Sequence, residues 1–536
     1  MTKKSIIRVA LDLETTGLHP DQDAILEVAA IKFQGSEIIE TFETFVAPGR
    51  SIPYRVQRLT GIKSEHLIGA PPFSAVANRL QKFLGDFPIV GHSIPFDVSF
   101  LRMRGLARSN PLVDTFELAT VLLPSLVSYN LGQVAESLDV QVPQDRHRAM
   151  VDTVLAMEVF VALHKRLQSV DLDLLNDLAH LDAPRSWPLL QFFRQELRER
   201  QENEGVYGKL SRGSFGDRFA SQLGMDPHVL SFAVARHQNA EQDMPDAPAL
   251  PVPNSSAVAT QTPALSQSAS LLDTRAVEYS AARTAIRDAL VERHPLLLEV
   301  AVGGHDYIPA LFPALEWLAE ENTDGRRLVI ACSHQQGARY LIDVILPRLQ
   351  VMLNCQLPVA YLAERGGYLC THRWFGAAMR RTSGELTAEQ ARGLAKLRLW
   401  THQTVTGERS ELTLLQQEIS AWERISSGFE QTASKNARFD TSYKRCTYRR
   451  KGYCFVSLAE ERVNAAKIVV TTHAGIFDDL SGPHSLLSSI DHRLILDADL
   501  LEEENARWGS EEFDQMRLFR LLNTLGAELS DGRYQG

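Results

Sequence analysis

Between Asn239 and Ser270 the chain consists mainly of Ala, Pro, Ser, Gln, Thr and Val, and a stretch so poor in large hydrophobes cannot build a core. It reads as a flexible, partly extended linker. The 536 residues must therefore fold as separate bodies on its two sides, two to four domains in all. On the N-terminal side, residues 1–165 alternate apolar strand-like runs with amphipathic helical ones. Ile6–Leu13, Ala24–Phe33 and Ile38–Phe45 read as three successive strands and Pro88–His92 as a short fourth. Phe73–Phe83, Phe96 onward, Leu131–Leu138 and Met150–Leu167 read as helices. This succession predicts an α/β domain with a mixed sheet flanked by helices, over residues 1–167. Residues 168–238, rich in Leu, Arg and Glu, read as a helical connector. After the linker, at 239–270, a globular pattern resumes and runs from 271 to 536.

Composition sets wide bounds. A hydrophobic share of 44% and a charged share of 23% are ordinary for a globular protein. No apolar run approaches the roughly 20 residues that span a bilayer. The acids at Asp12 and Glu14 interrupt the first apolar stretch before a signal-peptide core could form, so a cytoplasmic protein without membrane partners is expected. A net charge of −10 excludes a generally basic nucleic-acid binder, though not local basic patches. Five cysteines are too few for a disulfide scaffold of this size, and reduced thiols are expected.

The first strand carries the chemistry. In Val9-Ala10-Leu11-Asp12-Leu13-Glu14-Thr15-Thr16-Gly17 the two carboxylates stand at i and i+2, which places both on one face of a strand. Side by side they repel unless a cation lies between them, so the pair predicts a divalent metal site. Partners come from later segments. Asp97 follows the strand end Val90-Gly91-His92-Ser93 at the start of a helix, and His147 and Asp152 stand five apart at the entry to another. Asp114, in the weaker segment Leu112-Val113-Asp114-Thr115, is expected to cap the helix that follows it. Each residue alone would be surface charge or a capping group; the combination favours a catalytic site.

These segments resemble the DEDDh (DnaQ-like) 3′–5′ exonucleases, which include proofreading subunits of replicative polymerases. The resemblance runs from about residue 6 to 165. Asp12-Leu13-Glu14-Thr15-Thr16-Gly17 fits the first motif, His92 to Asp97 the second and His147 to Asp152 the third, with Arg58-Leu59-Thr60-Gly61-Ile62 and Pro71-Pro72-Phe73 between them. Ser93 departs from the asparagine more usual in the family. The resemblance implies a ribonuclease H-like fold and two Mg²⁺ or Mn²⁺ ions, for which hard oxygen ligands are suited. Asp12 would serve both ions, Glu14 and Asp97 one, and Asp152 the other. His147 would take the proton from the attacking water.

In the C-terminal half, Leu296–Val302 reads as a strand leading into Gly303-Gly304-His305-Asp306-Tyr307 and a helix over Ile308–Leu318, the layout of a phosphate-binding loop. Arg327–His334, Lys467–Ala474 and Leu494–Glu503 read as three more strands. Order and spacing resemble the first motor domain of DinG-type superfamily 2 helicases, iron–sulfur relatives of XPD, some of which carry a DEDDh exonuclease in front. The resemblance implies a partial RecA-like α/β domain with an insertion at about 365–460. Its motor chemistry has failed. The nucleotide loop at Gly303 and Gly304 puts Asp306 where the phosphate-binding lysine belongs and Tyr307 where the magnesium-binding Ser/Thr belongs. That reverses the charge the loop exists to supply. The acidic motif reads Asp497-Ala498-Asp499-Leu500, and Ala282 stands for an adenine-reading glutamine. ATP is not expected to be a cofactor. Cys370, Cys446 and Cys454 fall where these helicases place cluster ligands, but Thr441 and Ser442 stand where the fourth would be, so a vestige with free thiols is expected instead of an iron–sulfur cluster. Lys444, Arg445, Tyr448, Arg449, Arg450 and Lys451 are candidates for contacting a single strand, or form an ordinary solvated loop.

The leading expectation is a metal-dependent 3′–5′ exonuclease acting on nucleic acid, DNA before RNA, with a degenerate helicase-like domain that holds nucleic acid or a partner. Single-stranded or 3′-ended DNA is the expected partner, with replication or repair proteins as candidates. The alternative is a working ATP-dependent DinG-type helicase with an auxiliary exonuclease domain. A third reading, a non-catalytic nucleic-acid-binding scaffold, is opposed by the intact set of acids.

Overall fold

The computed structural model describes residues 6–143, 148–204, 276–299, 307–320, 325–374, 386–428, 446–481 and 485–509. The linker expected at 239–270 lies outside them. The chain divides into two compact units, Met1–Leu250 with Leu369–Phe429, and Pro251–Tyr368 with Glu430–Gly536.

The first unit is an α/β layer structure. β1 (Ile7–Thr15), β2 (Ile25–Gln34), β3 (Glu37–Phe45), β4 (Ile89–Gly91) and β5 (Leu112–Asp114) form a sheet of order β3-β2-β1-β4-β5. The hairpins β1–β2 and β2–β3 are antiparallel, whereas β4 lies parallel to β1 and β5 parallel to β4, giving the mixed sheet expected. Its helices are α1 (Tyr54–Thr60), α2 (Phe73–Leu84), α3 (Pro95–Met103), α4 (Thr115–Leu122), α5 (Leu131–Ser137), α6 (Ala149–Gln168), α7 (Leu172–Ala179) and α8 (Pro188–Glu204).

Alternation along β1 decides which face does what. Val9, Leu11 and Leu13 point into a core with Val76, Leu80 and Phe83 of α2 and Val98 and Leu101 of α3. Asp12 and Glu14 consequently face the other way, where α6 packs on β1 and β2. Gly91 ends β4 at a point where nothing larger fits, since a Cβ there would lie 2.8 Å from the carbonyl oxygen of Leu11. The close approach lets the chain turn directly from β4 into α3, which carries Asp97.

Residues Leu369–Phe429 belong to this same unit, although in sequence they fall within the insertion of the C-terminal half. The helix Ala388–Thr401 packs on α4 and α7. Lys396, fully buried, donates to Glu418 at 2.5 Å and to the Thr413 carbonyl at 2.8 Å. Arg392 bonds Glu418 at 2.7 Å and reaches Glu117 of α4 at 3.5 Å. The Trp187 indole N–H also donates to Glu117, at 3.1 Å, and the Thr413 N–H to the Pro124 carbonyl at 2.9 Å.

The second unit holds an all-parallel sheet of order β7-β8-β6-β9, from β6 (Leu328–Cys332), β7 (Val359–Leu362), β8 (Ile468–Thr472) and β9 (His492–Ile495). β6 and β8 are buried throughout, as strands covered on both faces must be. β6 and β8 match apolar runs read from sequence and β7 was not anticipated, while the strand expected over Leu494–Glu503 is mostly not one: β9 ends at Ile495 and the chain is helical from Leu501. A further expectation is corrected. Leu296–Val302 does not read through as a buried strand, because its described part to residue 299 is irregular and Leu297 is 89% exposed. An apolar run shorter than a helix has no periodicity to reveal whether a sheet edge is there to receive it.

Candidate active site

Three elements converge on one face of the first sheet. Asp12 and Glu14 come from β1 and Asp152 from the first turn of α6, and each offers a carboxylate oxygen within 4.8 Å of the others. Asp97 joins them through the backbone: its Oδ1 accepts the Leu13 N–H at 3.0 Å, from the residue between the two β1 acids. Of the five residues assigned to the exonuclease site from sequence, the structure thus gathers four. The fifth, His147, lies outside the described residues.

The electrostatics are those of buried carboxylates crowded together, which a divalent cation could neutralise. Burial, then the charges of Asp97, Glu14, Asp152 and Glu27, holds the Asp12 carboxyl well above the usual carboxylate range. Burial, reinforced by Asp152 and Glu27, pushes Glu14 to about 7 despite the opposing Arg148. Burial raises Asp97 to about 8, against the N–H groups of Leu13 and of its own residue. A donor set of carboxylates alone, with no thiolate or imidazole among its described members, fits a hard divalent cation such as Mg²⁺ or Mn²⁺.

The surrounding loop is held from beneath. Asp114, the helix cap expected from sequence, accepts the Phe116 N–H at 2.9 Å and also the Ser93 N–H at 2.8 Å. Ser93 stands at φ 60°, a left-handed position that asparagine adopts more readily than serine, so the departure at this residue falls where backbone geometry matters. His92 bonds the Thr115 hydroxyl at 3.0 Å and the Tyr129 carbonyl at 2.9 Å, which places it as a support for the loop. After β1, Thr16 and the backbone of His19 and Ala24 close on Asp23 and Thr16, and a Cβ at Gly17 would strike the Asp23 carboxylate at 2.4 Å. Sequence reasoning passed over Glu27, a buried acid directly opposite Glu14. A charge inside the apolar run Ile25–Phe33 was the signal.

Elsewhere the expected sites fare differently. Gly303, Gly304 and Asp306 of the nucleotide loop lie outside the described residues, as do Lys444 and Arg445. Tyr307 donates its hydroxyl to Asp497 at 3.1 Å, and the Ser333 hydroxyl donates to the same carboxylate at 2.9 Å. In the basic segment Tyr448 is only 5% exposed and Arg449 pairs with Glu460 at 2.6 Å. A buried ring cannot stack on a base, so Tyr448 is the one described member of that patch that the structure speaks against. Cys370 falls in the first unit and Cys446 and Cys454 in the second. Among the described residues no helix is long and apolar enough to cross a membrane.

The mixed sheet with converging carboxylates is the arrangement of the DnaQ-like exonuclease class, and the chain belongs to that family. A family model described as Exonuclease (RNase T) matches residues 9–160. The chain is similar to DNA polymerase III subunit epsilon of Aquifex aeolicus, 34% identical over 164 residues, which is 30% of this chain and 81% of that protein. It is also similar to the 3′-5′ exonuclease DinG of Bacillus subtilis, 24% identical over 482 residues, 89% of this chain and 48% of that one. Against the DNA polymerase III PolC-type protein of Bacillus cereus the identity is 37% over 150 residues, 27% of this chain and 10% of that one. The chain thus spans about half the length of the DinG relative and a tenth of the PolC-type one. Among solved structures, Exonuclease X in complex with 5′ overhanging duplex DNA aligns over 31% of this chain and 94% of its own, at 21% identity and a TM-score of 0.26.

Proposed function

We propose that the protein is a metal-dependent 3′–5′ exonuclease that shortens DNA, in preference to RNA, by a two-metal mechanism. The observation that carries this reading is the convergence of Asp12, Glu14 and Asp152 within 4.8 Å, with Asp97 tied to the strand between the first two. Asp12 would serve both ions, Glu14 and Asp97 one, and Asp152 the other. Bound there, the ions would activate water and stabilise the leaving oxygen. In the reaction, water oxygen bonds to the terminal phosphorus and the P–O3′ bond breaks. A nucleoside 5′-monophosphate leaves, and the shortened strand keeps a 3′-hydroxyl. His147 is the proposed acceptor of the water proton. The chain's own contribution is rigidity: β1 fixes Asp12 and Glu14, the Leu13 N–H orients Asp97, and Asp114 holds the loop that leads to it.

The proposed organisation is a nuclease domain at 1–167, a connector at 168–238, the linker at 239–270 and a helicase-like domain at 271–536, whose insertion at about 365–460 gives Leu369–Phe429 to the first compact unit. That last domain is proposed to bind nucleic acid or a partner without turning over ATP. The Tyr307–Asp497 bond supports this, since it engages the acid of the motif that would meet a nucleotide's magnesium. The test is release of mononucleotides from single-stranded, duplex and RNA substrates, with and without ATP. Dependence on Mn²⁺, loss in Asp12→Ala and indifference to ATP support the reading; an unchanged Asp12→Ala rate would remove the site assignment.

A further inference from the structure

Asp152 sits on α6, and α6 lacks a conventional start. Its first residue is preceded by Arg148, whose side chain makes no capping bond to the helix. The missing acceptor comes from the neighbouring strand. Glu27 of β2 accepts the Ala149 N–H at 3.2 Å through Oε2. It also takes the Arg148 guanidinium by both oxygens, Nη2 to Oε1 at 2.9 Å and Nε to Oε2 at 3.3 Å. The guanidinium lies 5.3 Å over the ring of Phe45, the register partner of Glu27 on β3. One turn on, the Asp152 N–H donates to the Arg148 carbonyl at 3.0 Å, and the Thr153 hydroxyl reaches the Ala29 carbonyl on β2 at 3.4 Å.

Glu27 is hard to explain as packing. It is 1% exposed, stands inside an apolar strand, and faces Glu14 directly across the β1–β2 ladder. Like charges opposite one another destabilise a sheet, and a buried carboxylate without a partner is costly. Arg148 offsets that charge, and the two together fasten the beginning of α6 to β2. An anion at a helix N-terminus further favours the arrangement.

We propose that Glu27 and Arg148 are positioning residues of the exonuclease, a carboxylate–guanidinium clamp that sets Asp152 opposite Asp12 and Glu14. The inference rests on reading those three acids as a metal site. Neither Glu27 nor Arg148 is one of the three converging acids; their charges reach Glu14, and their hydrogen bonds act through the helix that presents Asp152. Bidentate geometry is the working part, so lysine cannot replace the arginine fully.

The experiment measures Mn²⁺ binding to the full chain by the electron paramagnetic resonance signal of free Mn²⁺, alongside kcat and KM for a single-stranded oligonucleotide. Glu27→Gln and Arg148→Met are each expected to weaken Mn²⁺ binding about tenfold and to lower kcat comparably, with KM within about twofold, as for residues that orient a ligand. Arg148→Lys should fall between wild type and Arg148→Met. The double variant should be little worse than either single one, because both remove the same clamp. Should Glu27→Gln fail to fold, the more exposed Arg148 variants decide the matter. Wild-type Mn²⁺ affinity in Arg148→Met and Arg148→Lys would overturn the clamp while leaving the metal site intact. Absence of Mn²⁺ binding by the wild type would instead overturn the metal reading on which it rests.

Discussion

Replacing Asp12 by asparagine should make the metal-free protein more stable while destroying its activity. With carboxylate oxygens of Asp12, Glu14 and Asp152 within 4.8 Å of one another, two ionised groups at that distance repel by about 3 kcal/mol at an effective dielectric near 20. Burial first, with the neighbouring charges added to it, keeps protons on these groups and so raises Glu14 to about 7 and Asp97 to about 8. The sign follows from those directions. A carboxyl raised on folding stabilises the native state below its unfolded value and loses that contribution as pH climbs through its folded one. Stability of the metal-free wild type should therefore fall as pH rises through 7 toward 8. Asp12→Asn removes a carboxyl that burial and its neighbours hold protonated in the fold but that ionises on unfolding. The variant should therefore be the more stable near pH 8, by up to about 3 kcal/mol, the size of one such repulsion, with the difference shrinking toward zero near pH 5. Saturating Mn²⁺ should invert the order, because only the wild type gains binding energy, about 2.7 kcal/mol at a hundredfold excess over Kd. Scanning calorimetry at several pH values, with chelator and then with Mn²⁺, measures both. The reasoning is refuted if the variant is no more stable than wild type in chelator near pH 8, or if Mn²⁺ stabilises both equally.

Further outcomes follow from the packing. Lys396→Met leaves Glu418 buried without its nearest cation and should lower stability by about 3–5 kcal/mol, whereas Lys396→Met with Glu418→Leu should recover most of that loss in a denaturant titration. Gly91→Ala drives a methyl against the Leu11 carbonyl and should cost about 1–3 kcal/mol, with a lower kcat because the loop to Asp97 moves with it; urea unfolding and a nuclease assay check the pair. Tyr307→Phe frees Asp497 from one hydrogen bond yet supplies no cation for phosphate, so calorimetric titration with MgATP should show no binding to either form.

The site was legible where its chemistry is local. Asp12 and Glu14 announce a shared face through strand periodicity alone, and the helix-start positions of Asp97, Asp114 and Asp152 follow from short-range signals. Glu27 carried a signal, a charge inside an apolar strand, but its meaning comes from Arg148, 121 residues away, and the signal has no direction until that partner is known. The same holds for Leu369–Phe429. Nothing in Arg392 announces that it meets Glu117 of α4, because an ion pair over 275 residues leaves no periodic trace. Leu296–Leu298 misled for a simpler reason: consecutive leucines record hydrophobicity, and burial needs a surface to receive them.

The central claim is that the four gathered carboxylates hold metal for removal of nucleotides from a 3′ end. Its most direct test uses one oligonucleotide labelled separately at each terminus, with the full chain, Mn²⁺ and time points short of completion. The account predicts that the 3′ label appears at once as mononucleotide while the 5′ label descends a ladder, and that chelator or Asp12→Asn stops both. Early release of the 5′ label as mononucleotide, or a ladder that persists in chelator, would contradict it.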